Sequence, residues 1–261
     1  MIDLESRPLS FSSLKEFKKS PQHYMHYLTA PRTQTPALLF GSLFDCMLLT
    51  PGDVDKRFAI APELDKRTKD GKEKWETFCK ENEGKTFVRF DEHEKASAMI
   101  KKVYMNDVAA EIMSRLKETQ RRLSWEENGL PFVGYLDGVG DTFLFELKTT
   151  TDAEPEQVMR DFYNNNYHMQ AGMYQAGYRK KFHKYLDHFF LVIEKTEPFG
   201  ISVLKATKEF IDLGIQEYEY QTAAFKMCMD NDLWHNSYNH HSATGYFQLE
   251  LPGYAKSKLN K

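Results

Sequence analysis

The spacing of apolar positions changes along the chain and separates helical from extended parts. Leu14 and Phe17 and, past Pro21, Tyr24, Tyr27 and Leu28 repeat at helical spacing, with Ser10 or Ser12 placed to cap the helix. Residues Pro36 to Thr50 are apolar almost throughout and stop at Pro51-Gly52, which predicts a buried helix. A basic, turn-prone stretch, Lys66-Arg67-Thr68-Lys69-Asp70-Gly71-Lys72, leads into a helix through Trp75 and Phe78. Two more helices are predicted over His93 to Val103 and Asp107 to Leu116.

From Thr119 the pattern becomes extended. Thr119 to Glu126 and Phe132 to Leu136 read as strands joined at the Asn128-Gly129 turn. A second turn, Gly138-Val139-Gly140-Asp141, leads into a strand over Thr142 to Lys148. Helices over Glu154 to Asn164 and Tyr167 to Phe182 follow, then strands His188 to Glu194 and Gly200 to Leu204, and a long helix Thr207 to Met229. After Trp234 no pattern emerges. A block of strands between helical segments indicates an α/β (α+β) architecture with a central mixed β-sheet flanked by helices. Neither an internal repeat nor a linker divides the chain. One domain is therefore expected over 1–261, with a mainly helical portion (1–115), a sheet core (116–206) and a C-terminal helix and tail (207–261).

Composition narrows the class. At 261 residues with 41% hydrophobic and 28% charged residues, the chain is globular rather than disordered. Thirty-five Lys and Arg against 38 Asp and Glu give a net charge of -3, so any nucleic-acid contact must come from a local patch. Cys46, Cys79 and Cys228 are odd in number and far apart, which excludes a disulfide framework and a Cys-only zinc or iron–sulfur site. The opening Met1-Ile2-Asp3-Leu4-Glu5 lacks a secretory apolar core, and the apolar run Ala37 to Leu49 is broken by Asp45. That run falls short of the roughly 20 residues a membrane span needs. A soluble protein of a reducing compartment is expected.

Asp137, Glu146 and Lys148 are the most informative residues. Alternation along a strand puts Leu144, Glu146 and Lys148 on one face and Phe145 and Leu147 on the other, so a carboxylate and an ammonium end a strand that is apolar on both sides. Asp137 closes the preceding strand, and the turn returns it beside Glu146. Two carboxylates converging at a strand end suit a hard cation such as Mg²⁺ or Mn²⁺. The neighbouring lysine can orient or deprotonate an attacking water and neutralise charge developing on a phosphorane. The alternative is a hairpin with a Glu/Lys pair on a wet face. Asp45 is costly to bury in its apolar helix unless it is paired or bound to metal; the alternative is that it faces solvent.

An Asp at one strand end, a short hairpin and Glu-x-Lys on the next strand resemble the PD-(D/E)xK nuclease superfamily. Four further features resemble its RecE-type (exodeoxyribonuclease VIII-like) phage and prophage exonucleases, and more distantly lambda exonuclease. These are Ser10-Phe11-Ser12-Ser13-Leu14 with Phe17, Ser20-Pro21 and Tyr24; Gly41-Ser42-Leu43-Phe44-Asp45 with Leu48-Leu49; Arg67 to Lys72 with Trp75; and Gln170 with Tyr174. The set spans residues 10 to 174 in the family's order.

The resemblance implies a restriction-endonuclease-like core and Mg²⁺-dependent hydrolysis of DNA phosphodiesters from a duplex end, 5′ to 3′, with Mn²⁺ as a substitute metal. It implies catalytic roles for Asp137, Glu146, Lys148, Gln170 and Tyr174, and metal ligation by Asp45, Asp137, Glu146 and the Leu147 backbone carbonyl. Many relatives carry histidine at the place of Asp45, and the carboxylate makes the site harder. Glu118 is the candidate for a further upstream acid, in competition with Glu111, Glu126 and Glu127. Arg67, Lys69 and Lys72 are implied DNA contacts; a solvated loop is the alternative. The resemblance also implies a homo-oligomeric ring, a single-strand-annealing partner and the cytoplasm of a bacterial host, with phage or prophage origin. No iron–sulfur cluster is expected, since Ser20 stands at the place of the first cysteine and no C-terminal cysteine cluster follows. No Gly-x-x-x-x-Gly-Lys-Ser/Thr loop occurs, so ATP is not expected as a cofactor.

Other signals have plainer readings. His240-His241 lack a ligand pattern, and His168 reads as structural. Arg179-Lys180-Lys181 with Lys184, like Arg121-Arg122, suits either a DNA backbone or a solvated surface. Two other functions remain open: a structure-specific endonuclease on the same site, and a non-catalytic DNA-binding recombination partner.

Overall fold

Alternation of side chains along the strands decides the layering, because both faces of the central sheet are apolar. The computed structural model describes residues 3–31 and 34–252; residues 253–261 of the expected tail lie outside them. The helices are α1 (Phe11–Lys19), α2 (Pro21–Thr29), α3 (Pro36–Leu49), α4 (Val54–Arg57), α5 (Lys69–Glu81), α6 (Phe90–Met105), α7 (Asp107–Ser114), α8 (Pro155–Asn164), α9 (Tyr167–Phe182) and α10 (Lys208–Asp230). The strands are β1 (Phe58–Ile60), β2 (Thr86–Val88), β3 (Leu116–Glu127), β4 (Leu130–Gly140), β5 (Phe143–Thr150), β6 (Asp187–Glu194) and β7 (Ile201–Lys205).

The five strands β3 to β7 lie side by side in chain order. Every neighbouring pair is antiparallel except β5 and β6, which are parallel and joined through α8 and α9. On β5, Leu144 enters one core with Phe17, Phe132, Met173 and Phe225, while Phe143, Phe145 and Leu147 enter another with Phe44, Met99 and Leu191. Burying each such side chain contributes about 1.5–3 kcal/mol, so both faces are strongly driven inward. The expected mixed sheet between helical layers is the observed one.

Local chemistry sets the element ends. Asn128 (φ 53°) and Gly129 (φ 74°) are both left-handed, and Glu127 pairs with Leu130, as a two-residue hairpin turn requires. The single N-terminal helix expected from spacing is two: Ser20 accepts the His23 N–H and caps α2, with Pro21 at its first position. The turn expected over Gly138 to Asp141 is shorter, because β4 runs through Gly140. Both glycines sit in the strand where a Cβ would lie 2.7 Å from Leu116 and 2.4 Å from the Phe143 ring. The basic stretch is helical from Lys69: Thr68 accepts the Gly71 N–H, and a Cβ on Gly71 would meet the Asp65 carbonyl at 2.1 Å. Strands β1 and β2, paired parallel, have no counterpart in the sequence reading, since three residues carry too little periodicity. Among the described residues no helix is long and apolar enough to cross a membrane.

Candidate functional site

The ladder between β4 and β5 is short. It holds at Gly138–Phe145 and Val139–Leu144 and then opens. Beyond it the Asp137 carboxylate takes the place of a backbone acceptor, receiving the Leu147 N–H at Oδ2 (2.8 Å). The opening leaves Glu146 and Lys148 facing Asp137 on the side of α9. Glu146 is 1% exposed; its Oε2 accepts from Lys148 Nζ (2.9 Å), and its Oε1 is buried with no partner. The ammonium also lies 5.2 Å from the centre of the Tyr167 ring.

Asp45 comes in from α3. Gln120 on β3 donates its side-chain amide to both Asp45 oxygens, at 3.0 Å each. Burial, and then the negative charge of Asp137, push the Asp45 carboxyl up to about 7. Burial and the same Asp137 charge push Glu146 up to about 8. Asp137 is raised as well, chiefly by burial, although Lys148, the Leu147 N–H and Gln120 act in the opposite direction. Burial alone would lower Lys148, yet Glu146, Asp137 and Tyr167 hold it above the ordinary lysine range, so it stays an ammonium. Three carboxylates thus crowd around the Lys148 ammonium, with Arg57 adding positive charge at Asp45 alone, an arrangement in which the Asp137 charge disfavours the other two.

Gln170 and Tyr174 complete the inner wall from α9. Gln170 donates to the Tyr174 hydroxyl (3.3 Å), and its own Oε1 is buried without a partner. The Tyr174 ring packs closely on Gly134 of β4, where a Cβ would be 2.6 Å from the ring. Its hydroxyl is raised by burial and by the nearby Glu146 charge.

The structure therefore gathers Asp45, Asp137, Glu146, Lys148, Gln170 and Tyr174. Asp45 does not face solvent alone, and the Glu/Lys pair does not lie on a wet face. Glu118 is not brought to the cluster: it is half exposed and paired with Arg121. Its competitors do no better, since Glu111 pairs with Arg115, Glu127 pairs with Lys180, and Glu126 is exposed. Gln120 occupies the ground expected of an upstream acid, and sequence reasoning missed it. Counting back from the Asn128-Gly129 turn places Gln120 opposite Asp137, but its left-handed backbone (φ 51°), which turns it out of the ladder, leaves no mark in the sequence.

Arg67, Lys69 and Lys72 lie at the exposed start of α5. Arg67 Nε is 3.0 Å from Asp65, and Lys69 is 3.9 Å from Glu73. His240 packs against Phe17, and the His168 ring stacks on Tyr163, both structural contacts.

Among the described residues no three His, Cys, Asp or Glu side chains are gathered closely enough to hold a cation as they stand. Each acid of the cluster is turned to a hydrogen-bond donor instead: Asp45 to Gln120, Asp137 to Leu147, Glu146 to Lys148. The donor set nonetheless fits a hard divalent ion. All three acids offer oxygen, the Asp137 charge raises the other two, and Glu146 Oε1 is left without a partner.

Comparisons with known proteins bear on the family and the fold. The crystal structure of a protein from Eubacterium rectale described as a "putative exonuclease" superposes with a TM-score of 0.65 over 95% of this chain and 91% of that one. At 16% identity the likeness shows a shared fold. No curated protein matches the chain. A family model described as a PDDEXK-like domain of unknown function (DUF3799) matches residues 10–240, and the chain belongs to that family.

Proposed function

We propose that this protein is a Mg²⁺-dependent DNA exonuclease of the RecE type, hydrolysing phosphodiester bonds from a free duplex end, 5′ to 3′, in recombination. The observation that carries the reading is the convergence of Asp45, Asp137 and Glu146 beside Lys148, with all three carboxyls raised by burial and the Asp137 charge raising the other two. Asp45, Asp137, Glu146 and the Leu147 carbonyl would hold the cation, which when bound polarises a phosphate oxygen and acidifies a water. The Glu146 and Asp137 charges hold Lys148 protonated in the metal-free protein, and as an ammonium it would donate hydrogen bonds to negative oxygen as charge builds up. Gln170 offers an unfilled carbonyl to a donor group, and Tyr174 fixes its side-chain amide. Gln120 holds Asp45 toward Asp137. The ring, the annealing partner and the cytoplasmic setting belong to the same proposal and rest on the sequence resemblance.

End-labelled linear duplex and a covalently closed circle, each incubated with Mg²⁺ and with chelator, test the proposal. Mononucleotides released from the linear duplex alone support it. Cleavage of the circle would make the protein an endonuclease, and binding without cleavage a non-catalytic partner.

Asp45→Asn keeps the shape and removes a charge, so the Mg²⁺ concentration for half-maximal cleavage should rise about tenfold or more. An unchanged Mg²⁺ requirement would remove Asp45 from the ligand set.

Arg67 and Lys72 are the exposed cations proposed to grip DNA, Lys69 adding charge. Exposed ion pairs such as Arg67–Asp65 are worth little, about 0–1 kcal/mol, and exchange readily for phosphate. Arg67→Ala with Lys72→Ala should flatten the dependence of log affinity on log salt by about two units. Arg67→Ala alone should slow 5′-phosphorylated ends more than 5′-hydroxyl ends. A solvated stretch would leave both the slope and the end preference at wild-type values.

A further inference from the structure

A cleft of about 790 Å³ opens between the C-terminal end of α9 and the start of α10, over the first residues of β6. Its size is that of a small-molecule site. Leu186, Ile211 and Ile215 give it apolar walls, and Tyr185 stands at its edge. Four cations line it against two carboxylates. Lys205 pairs with Asp187 and Lys208 with Asp212, which leaves the charges of Arg179 and Lys184 uncompensated. A chain of net negative charge has therefore set a positive rim around an apolar hollow.

The lining also contains His188, 1% exposed, with neither ring nitrogen hydrogen-bonded. Burying an unsatisfied polar group is costly, and two on one ring are rare. Burial keeps this imidazole neutral, so it offers one donor and one acceptor side by side. A second hollow shares Arg179, His183 and Tyr185 with the first, and Gln175 lines it with its Oε1 buried and unpartnered. Neutral donors and acceptors over apolar walls complement the edge and face of a heterocyclic base. The rim cations complement an anion attached to it.

We propose that this cleft is a second binding site, for a nucleoside 5′-monophosphate unit, with the base over Leu186, Ile211 and Ile215 toward His188 and the phosphate between Arg179 and Lys184. Such a unit can arrive as a free nucleotide or as the terminal residue of a DNA strand. The inference stands whether or not the acid cluster cleaves DNA. His188 is the register partner of Leu144, two residues before Glu146, and feels the Lys148 charge, so the cleft adjoins the acid cluster on the same face without being lined by any of its residues.

Calorimetric titration of the full chain with 2′-deoxyadenosine 5′-monophosphate, and with a short 5′-phosphorylated oligodeoxyadenylate in chelator, tests the proposal. Saturable one-to-one binding is expected of at least one probe, with deoxyadenosine or inorganic phosphate alone about tenfold weaker or worse. Binding of both probes marks a nucleotide site, and binding of the oligonucleotide alone marks a strand-end site. Lys184→Glu, at an exposed position, should weaken binding about fivefold or more. His188→Phe, which keeps a ring and removes both nitrogens, should weaken it without lowering the melting temperature. Asp137→Asn should leave it unchanged. Absence of saturable binding by either probe, or binding lost in Asp137→Asn and kept in Lys184→Glu, would overturn the proposal.

Discussion

Asp137→Asn and Glu146→Gln are each expected to lower Mg²⁺-dependent cleavage by about 10³-fold or more, roughly 4 kcal/mol of transition-state stabilisation. Asp137→Asn should at the same time raise the melting temperature of the metal-free protein near pH 8, which separates lost chemistry from lost folding. The asparagine oxygen still accepts the Leu147 N–H, while the charge that raises Asp45 and Glu146 is gone. Asp45 and Glu146 titrate near 7 and 8 in the folded chain, against reference values of 3.8 and 4.5. On these two groups the folded state therefore holds more protons than the unfolded state, and their contribution to stability falls as pH rises from about 4 to about 8, opposed by the neutral, buried His188 only below its ordinary value of 6.5. Lys148 stays charged throughout that range and does not offset the loss. Metal-free wild type should melt lower near pH 8.5 than near pH 5.5, by roughly 5 °C or more, and Mg²⁺ should restore it at the higher pH. Asp137→Asn should flatten the profile. A metal-free wild type with equal melting temperatures at both pH values, unmoved by Mg²⁺, would refute the shared acid cluster.

Part of this site is legible in the sequence because its causes are local. Period two on β5 fixes which residues share a face with Glu146, and the Asn128-Gly129 turn fixes the register that leads to Asp137. An Asp in a helix as apolar as Pro36–Leu49 has few places to go, so the apolar pattern itself points Asp45 inward. Other features depend on contacts that no local pattern encodes. Gln120 leaves its ladder through a left-handed backbone and reaches Asp45, 75 residues away in the chain. Glu118 is the candidate by residue type, but it pairs with Arg121 and stays half exposed. Gly71 reads as a flexible loop residue, yet it is helical, held by the Thr68 cap and by the approach of the Asp65 carbonyl. His188 sits in an ordinary strand pattern, and only the packed structure shows that nothing satisfies it.

Gly214→Val is expected to destabilise the protein by roughly 4 kcal/mol or more, at the upper end of single-substitution effects. Helices α9 and α10 touch backbone to backbone at Gly172 and Gly214. A Cβ on Gly214 would lie 1.9 Å from the His168 carbonyl oxygen, and one on Gly172 would lie 2.2 Å from the Gly214 carbonyl carbon. The obstacle is backbone on both sides, so no rotamer change relieves it and the helices must separate. Separation strips contacts from Met169 and Met173 in one core and Ala171 in another. It also carries α9 away from β4, and with it Gln170 and the Tyr174 ring that rests on Gly134. The melting temperature should drop by roughly 10 °C or more, with Gly214→Ala falling between this variant and wild type. Gly52→Ala is the control, because nothing lies within 4 Å of a Cβ there, and its melting temperature should stay at the wild-type value. Well below its melting point, Gly214→Val should also cleave more slowly than wild type, since the displaced helix carries part of the site. If thermal melts by circular dichroism show Gly214→Val as stable as Gly52→Ala, the helices do not meet where the structure places them. In that case the positions of Gln170 and Tyr174 beside the acid cluster fall with that contact.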